Sequence, residues 1–275
     1  MKVQVASHYG FCFGVKRAIK IAEEHTNAVT MGPLIHNQKE IDRLKKDFNV
    51  GLYSTVDEAK KHDTVIIRTH GIPKNDLKSL KENNAKVINA TCPFVTTPQQ
   101  IVKKMSEEKY SIIIFGDADH PEVQGVKSYG DDVHIVPSLK DLENLNLKYE
   151  KIATVAQTTK QKEKYLEIVN NLIIQYKEVR VFNTICGATF ENQAAARELS
   201  STVDIMIIIG GKNSSNTKQL LSISEENCVS YLIEDEKELK KDWFTNKILC
   251  GVTAGASTPD WVIQKVIEKI EKIEL

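Results

Sequence analysis

The sequence has no long apolar run: its longest, residues 112–115 and 205–209, fall far short of the ~20 residues that a membrane helix needs. No membrane partner is expected. It has no excess charge either, because 37 Lys and Arg face 37 Asp and Glu, which removes the electrostatic case for nucleic acid or an acidic membrane surface. A nucleotide fingerprint is missing: there is no G-x-G-x-x-G, and Gly210-Gly211-Lys212 lacks the earlier glycine of a Walker loop. Any electrons the protein uses are therefore expected from another protein. The first ten residues, MKVQVASHYG, carry no sustained apolar segment and no small-residue cleavage site, which points to a cytoplasmic location. Cysteine is sparse, and five thiols, an odd number without a secretion signal, argue against a disulfide framework. Reduced thiols or metal thiolates are the better reading.

Three of the five cysteines lie in matching contexts: Gly10-Phe11-Cys12-Phe13-Gly14, Ala90-Thr91-Cys92-Pro93-Phe94 and Thr184-Ile185-Cys186-Gly187-Ala188. Before each comes a short β-branched run (residues 2–6, 86–90 and 178–182), read as a strand. After each, apolar residues recur at helical spacing. The cysteines are 80 and 94 residues apart, and 89 residues follow the last, so the chain is an internal threefold repeat. Soft boundaries follow: residues 13–92, 93–186, and 187–275 with the N-terminal strand in 1–12, each within the size of a small lobe.

Every segment repeats one order of strands and loops. A strand opens into a polar loop holding His36, then His120 with Glu122, then Ser214, Ser215 and Asn216. A third strand opens into a second loop holding His70, then Thr158, then Ser257. The fourth strand leads to the cysteine turn, and in the last segment the N-terminal strand takes that place. Strands alternating with helices imply an α/β fold with parallel sheets, and ligands then gather beyond the carboxyl ends of the strands. If the segments pack around a pseudo-threefold axis, the nine loops converge on one centre.

Three converging thiolates suit an iron–sulfur, zinc or copper(I) site. A four-iron cubane would keep one iron without a protein ligand, as catalytic metal sites keep a vacancy. The imidazoles, hydroxyls and amide of the loops could hold a multiply charged anion such as a diphosphate without Mg²⁺. Glu122 is the carboxylate expected to face the centre, with Asp117 and Asp119 as competitors. Cys228 and Cys250, in strand-like runs, are read as core residues, and His8, His25, His62 and His134 as ordinary hydrogen-bonded residues.

Taken together, GFCFGV, GPLIHN, RTHG, ATCPFV, HPE, QTT, TIC-x-AT, KNSSNT and GASTP, in this order from Phe11 to Pro259, resemble the 4-hydroxy-3-methylbut-2-enyl diphosphate reductases of the methylerythritol phosphate route to isoprenoids. The resemblance implies a trefoil with a [4Fe–4S] cluster on Cys12, Cys92 and Cys186. It implies that His36, His70, His120, Ser214, Ser215, Asn216 and Ser257 hold the diphosphate, while Thr158 and Glu122 serve the alcohol end and its proton delivery. The implied reaction is a two-electron reductive loss of that hydroxyl as water, giving isopentenyl and dimethylallyl diphosphates, with electrons from a ferredoxin- or flavodoxin-type donor. One departure stands at Asn192, where relatives commonly carry Arg; it touches only a peripheral contact. A second, similar family is quinolinate synthase, which uses its open iron as a Lewis acid without net reduction. From another class, a non-catalytic iron–sulfur sensor or a zinc protein would keep the cysteines without needing the anion loops.

Overall fold

The structure, a computed structural model, describes residues 1–83, 85–143 and 145–273. The last two residues of the segment expected over 187–275 therefore lie outside the described residues.

The chain runs β1 (Lys2–Val5), α1 (Phe13–Glu24), β2 (Val29–Met31), α2 (Gln38–Phe48), β3 (Gly51–Tyr53), α3 (Val56–Ala59), β4 (Thr64–Ile67), α4 (Lys74–Glu82) and β5 (Lys86–Asn89). It continues through α5 (Pro93–Glu107), β6 (Ser111–Phe115), α6 (Pro121–Lys127), β7 (Val133–Val136), β8 (Lys151–Ala156), α7 (Lys162–Gln175) and β9 (Glu178–Val181). The last stretch holds α8 (Gly187–Ser200), β10 (Ile205–Ile209), α9 (Ser215–Glu225), β11 (Val229–Ile233), β12 (Leu249–Ala254) and α10 (Asp260–Glu271).

These strands form three parallel four-stranded sheets, ordered β3-β2-β4-β5, β7-β6-β8-β9 and β11-β10-β12-β1. The order is the same three times, and each sheet with its helices makes an α/β lobe. The N-terminal strand is the fourth strand of the last sheet, with Val3 opposite Cys250. Contacts divide the chain into two compact units, one of residues 1–15, 36–40 and those from 187 onward, the other of residues 16–35 and 41–186.

In the first unit β10 shows why the sheet is buried on both faces. Ile205, Ile207 and Ile209 pack with Val262, Ile263, Val266 and Ile270 of α10, whereas Met206 and Ile208 pack with Ala195, Ala196, Leu199 and Leu220 of α8 and α9. Period-two alternation thus feeds two apolar layers, as a covered parallel strand requires. In the second unit β6 does the same: Ile112 and Ile114 meet Val102, Met105, Val123 and Val126, while Ile113 and Phe115 meet Tyr165, Ile168, Val169 and Leu172. The smaller β2–β5 sheet is sealed by Ile72 and Leu80. Helix α4 starts at Lys74, directly after Pro73 at its N-cap.

Gly10 turns the chain after β1 with a φ of +72°, and its N–H donates to Ala254 O at 3.1 Å. A methyl there would stand 3.3 Å from Ile263 Cδ1 and 3.4 Å from Asp260 Oδ1. The prediction is that Gly10→Ala costs about 1–2 kcal/mol through its left-handed backbone. Denaturant titration checks it, and an unchanged midpoint would contradict the assigned turn.

Candidate active site

Each of the three repeated cysteines is fixed by the same hydrogen bond. Its backbone N–H donates to the carbonyl two residues past the end of the third strand: Cys12 to Ala256 at 3.2 Å, Cys92 to Thr69 at 3.0 Å and Cys186 to Thr158 at 3.0 Å. The approach to Cys92 is an Asx turn in which Asn89 Oδ1 accepts the Thr91 N–H at 3.0 Å. The approach to Cys186 repeats it, Asn183 Oδ1 accepting the Ile185 N–H at 3.3 Å. Before Cys12 the positive φ of Gly10 does this work.

Cys12, Cys92 and Cys186 are half-buried and in no disulfide, a state open to thiolate chemistry. Cys228 and Cys250 differ. Burial pushes the Cys228 thiol up, and burial followed by the Cys228 charge pushes Cys250 up to about 12. Both remain protonated fillers of the β10–β12 region, as their strand context suggests. The histidines set aside in the sequence are satisfied locally: His134 pairs with Asp132 at 2.8 Å, and His25 Nδ1 lies 2.8 Å from Ile21 O.

In the second unit the loops after β6 and β8 meet. Glu122, in the first turn of α6, is 2% exposed. Its Oε1 accepts the Thr158 N–H and its Oε2 the Thr158 hydroxyl, both at 2.7 Å. Burial raises its pKa, the two Thr158 hydrogen bonds oppose that rise, and the charge of Asp117 adds to it. His120 caps α6 by accepting the Glu122 N–H on Nδ1 at 3.3 Å, which leaves the proton of the neutral ring on Nε2. The His70 ring meets the His120 ring edge-on, 5.6 Å between centroids. Asp117 is engaged by Lys160 at 2.5 Å and Asp119 is exposed, so Glu122 is the buried acid of this loop.

In the first unit Ser214 caps α9, its Oγ accepting the Thr217 N–H at 3.3 Å, and Ser215 and Asn216 open the helix, both buried. Asn216 is 3% exposed, yet its amide nitrogen and oxygen have no hydrogen-bond partner among the described residues. A buried amide left so is costly unless a ligand or water meets it. The Ser257 hydroxyl donates to His36 O at 3.3 Å. Gly211 passes so close that a methyl there would lie 2.4 Å from His36 O. His36, Ser214, Ser215, Asn216 and Ser257 thus share this unit, and His70, His120, Glu122 and Thr158 share the other.

Sequence reasoning missed the supports. Arg17 donates to Thr91 O and Asn89 O, both at 3.2 Å, and so grips the turn before Cys92. Gln157 Oε1 accepts the Asp117 N–H at 2.8 Å. Asn37 caps α2 by accepting the Glu40 N–H at 3.1 Å; an Asn followed three residues later by Glu is a capping signature legible in the sequence. Asn192, the departure noted above, is buried in α8.

A family model described as LytB protein matches residues 3–271. Over the full length of both chains the sequence is 64% identical to the 4-hydroxy-3-methylbut-2-enyl diphosphate reductase of a Nitratiruptor species. It is 61% identical to the reductase of the same name from Helicobacter hepaticus, over 99% of this chain and 100% of the relative. A solved structure of (E)-4-hydroxy-3-methyl-but-2-enyl diphosphate reductase, described as the terminal enzyme of the non-mevalonate pathway, covers 99% of this chain and 100% of its own, with 44% identity and a TM-score of 0.71. The Plasmodium falciparum E-1-hydroxy-2-methyl-but-2-enyl-4-diphosphate reductase structure aligns with a TM-score of 0.92 at 27% identity, covering 97% of this chain and 87% of that one.

The raised pKa of Glu122 gives a signed prediction. A carboxyl that holds its proton longer folded than unfolded lowers stability as pH rises from the ordinary carboxyl range, ~4.3, to the folded pKa, after which the loss is constant. Glu122→Gln, which removes the titration, is therefore expected to gain stability relative to the parent across that window. Melting curves at several pH values measure it, and a difference independent of pH would refute the buried-acid assignment.

Proposed function

The chain belongs to the LytB family of 4-hydroxy-3-methylbut-2-enyl diphosphate reductases, and from that premise we propose that it reduces this allylic diphosphate to isopentenyl and dimethylallyl diphosphates. Two electrons and two protons enter, the carbon–oxygen bond breaks, a carbon–hydrogen bond forms and water leaves. The observation that carries the reading is Thr158: its carbonyl receives the Cys186 N–H while its own N–H and hydroxyl go to Glu122. One residue thereby joins a cysteine turn to a buried acid.

The donor set fits an iron–sulfur group: three thiols on equivalent turns, each half-buried, none in a disulfide. Cys12, Cys92 and Cys186 would hold a [4Fe–4S] cluster, which when bound supplies electrons and a Lewis-acidic iron that has no protein ligand. Glu122, whose protonated form burial favours, gives a proton to the departing hydroxyl, so that water leaves in place of hydroxide. The Thr158 hydroxyl orients that carboxyl and is within reach of the same oxygen. His120 Nε2–H, with His70 and His36, donates to the diphosphate. Ser214, Ser215, Asn216 and Ser257 add hydroxyl and amide donors, and the α9 N-terminus adds backbone N–H groups. This division of roles makes the unpaired Asn216 amide intelligible, since its donors face an anion.

The proposed lobes keep the boundaries 13–92, 93–186 and 187–275 with 1–12. Electrons come in this reading from a ferredoxin- or flavodoxin-type protein, and the place of action is the cytoplasm. No helix among the described residues is long and apolar enough to cross a membrane. The quinolinate-synthase and sensor readings lose their support to the full-length match, which carries a reductase name.

Three outcomes test the proposal. Ser at Cys12, Cys92 or Cys186 should cost the protein iron and sulfide, whereas Ser at Cys228 or Cys250 should not; equal loss at all five would discredit the repeat. Asn216→Ala should weaken diphosphate binding by ~1.5–3 kcal/mol, about one to two decades, and equal affinity for the diphosphate and its bare alcohol would speak against the anion loops. Glu122→Gln should keep the iron and bind substrate but lose ~10²–10⁴ in turnover under saturating artificial reductant. Parental turnover would remove Glu122 as the acid.

A further inference from the structure

Two charged residues beside the buried acid have no part in the chemistry above. Lys160, just beyond Thr158, is 7% exposed. Its Nζ lies 2.5 Å from Asp117 Oδ1 and 5.3 Å from the centre of the Phe115 ring. A buried ammonium persists only when paired. Asp117, by contrast, is close to half exposed at its side chain, and its N–H is taken by Gln157. The loop after β6 and the loop after β8 are therefore tied three times: Thr158 to Glu122, Gln157 to Asp117, and Lys160 to Asp117.

The charges around Glu122 can be named element by element. On α6 stand His120, whose Nδ1 accepts the Glu122 N–H, and Lys127 in the last turn. The loop after β6 carries Asp117 and the exposed Asp119. The loop after β4 carries His70, against His120. The loop after β8 carries Lys160, and the turn before α8 carries Cys186, bonded to Thr158 O. Of these, Asp117 is the charge that adds to the effect of burial on Glu122. Its own neutralisation by Lys160 limits that effect.

We propose that Lys160 is a positioning residue that pins Asp117 across the two loops and cancels its charge, and thereby sets how firmly Glu122 holds the proton it delivers. The inference rests on the proposed role of Glu122 as the acid. Without Lys160 the charge of Asp117 acts on Glu122 without its counter-charge, and Glu122 keeps its proton to higher pH. Without Asp117 the ammonium remains and Glu122 yields its proton sooner. That second shift is opposite in sign to the first.

The test is an infrared pH titration of the cluster-loaded protein, following the buried carboxyl band identified by its loss in Glu122→Gln, together with the pH profile of kcat. Lys160→Met should raise the midpoint by about one pH unit. Asp117→Asn should lower it, Lys160→Arg should stay near the parent, and the double variant Lys160→Met/Asp117→Asn should return towards it. An unmoved midpoint in Lys160→Met overturns the proposal, as does a shift of the same sign in both single variants, which general loosening of the loops would produce. If Lys160→Met does not fold, Lys160→Gln, which also removes the charge, takes its place and is judged by the same sign. The band is read without turnover, so a Glu122→Gln protein that still turns over would remove the acid role while the midpoints still judge the tuning. Midpoints that move without the kcat profile following would overturn the link to the reaction.

Discussion

The three cysteine turns depend on one hydrogen bond made three times, from the N–H of a cysteine to the carbonyl two residues past the neighbouring strand. It exists because the third and fourth strands of each sheet are parallel neighbours. Their carboxyl ends therefore point the same way, and the two loops that leave them start side by side. A cysteine on the fourth strand's turn is thereby held against the loop that carries Thr69 beside His70, Thr158 itself, or Ala256 beside Ser257. The cysteine turns and the polar loops are one construction, repeated with different side chains.

That repetition separates what the sequence could reveal from what it could not. Strand-to-helix turns are local, so the three cysteines, the polar loops and the strand role of residues 2–6 could be read from short patterns, and the observed sheet order agrees with them. The Asx turns before Cys92 and Cys186 were legible too, since both have Asn three residues ahead. Arg17 was not: it reaches a turn 74 residues away through backbone carbonyls, which every residue has. Lys160 was equally hidden, 43 residues from Asp117, because a lysine in a polar loop reads as a solvated one. Its burial follows from Phe115 and Asp117, which only the fold brings to it.

The same fold explains why a chain with balanced overall charge can carry strongly polar loops at its strand ends. Each unit places its apolar residues on both faces of its sheets and leaves hydroxyls, imidazoles and amides for the strand ends. Few of these groups carry full charge. Glu122 is the buried acid of the loop after β6, and Thr158 holds it through two hydrogen bonds instead of an opposite charge.

Strand β1 is synthesised long before β12, yet the two pair, and their partners Lys2 and Leu249 lie almost a whole chain apart. Domains generally form as the chain is synthesised, N-terminal parts first, but this sheet cannot close until β12 has emerged from the ribosome. Cys12 must therefore wait on an unpaired strand while the segments bearing Cys92 and Cys186 fold. Closure of that sheet is then a late event in the life of the nascent polypeptide, and until β12 arrives the turn that carries Cys12 has no Ala256 carbonyl to hold it.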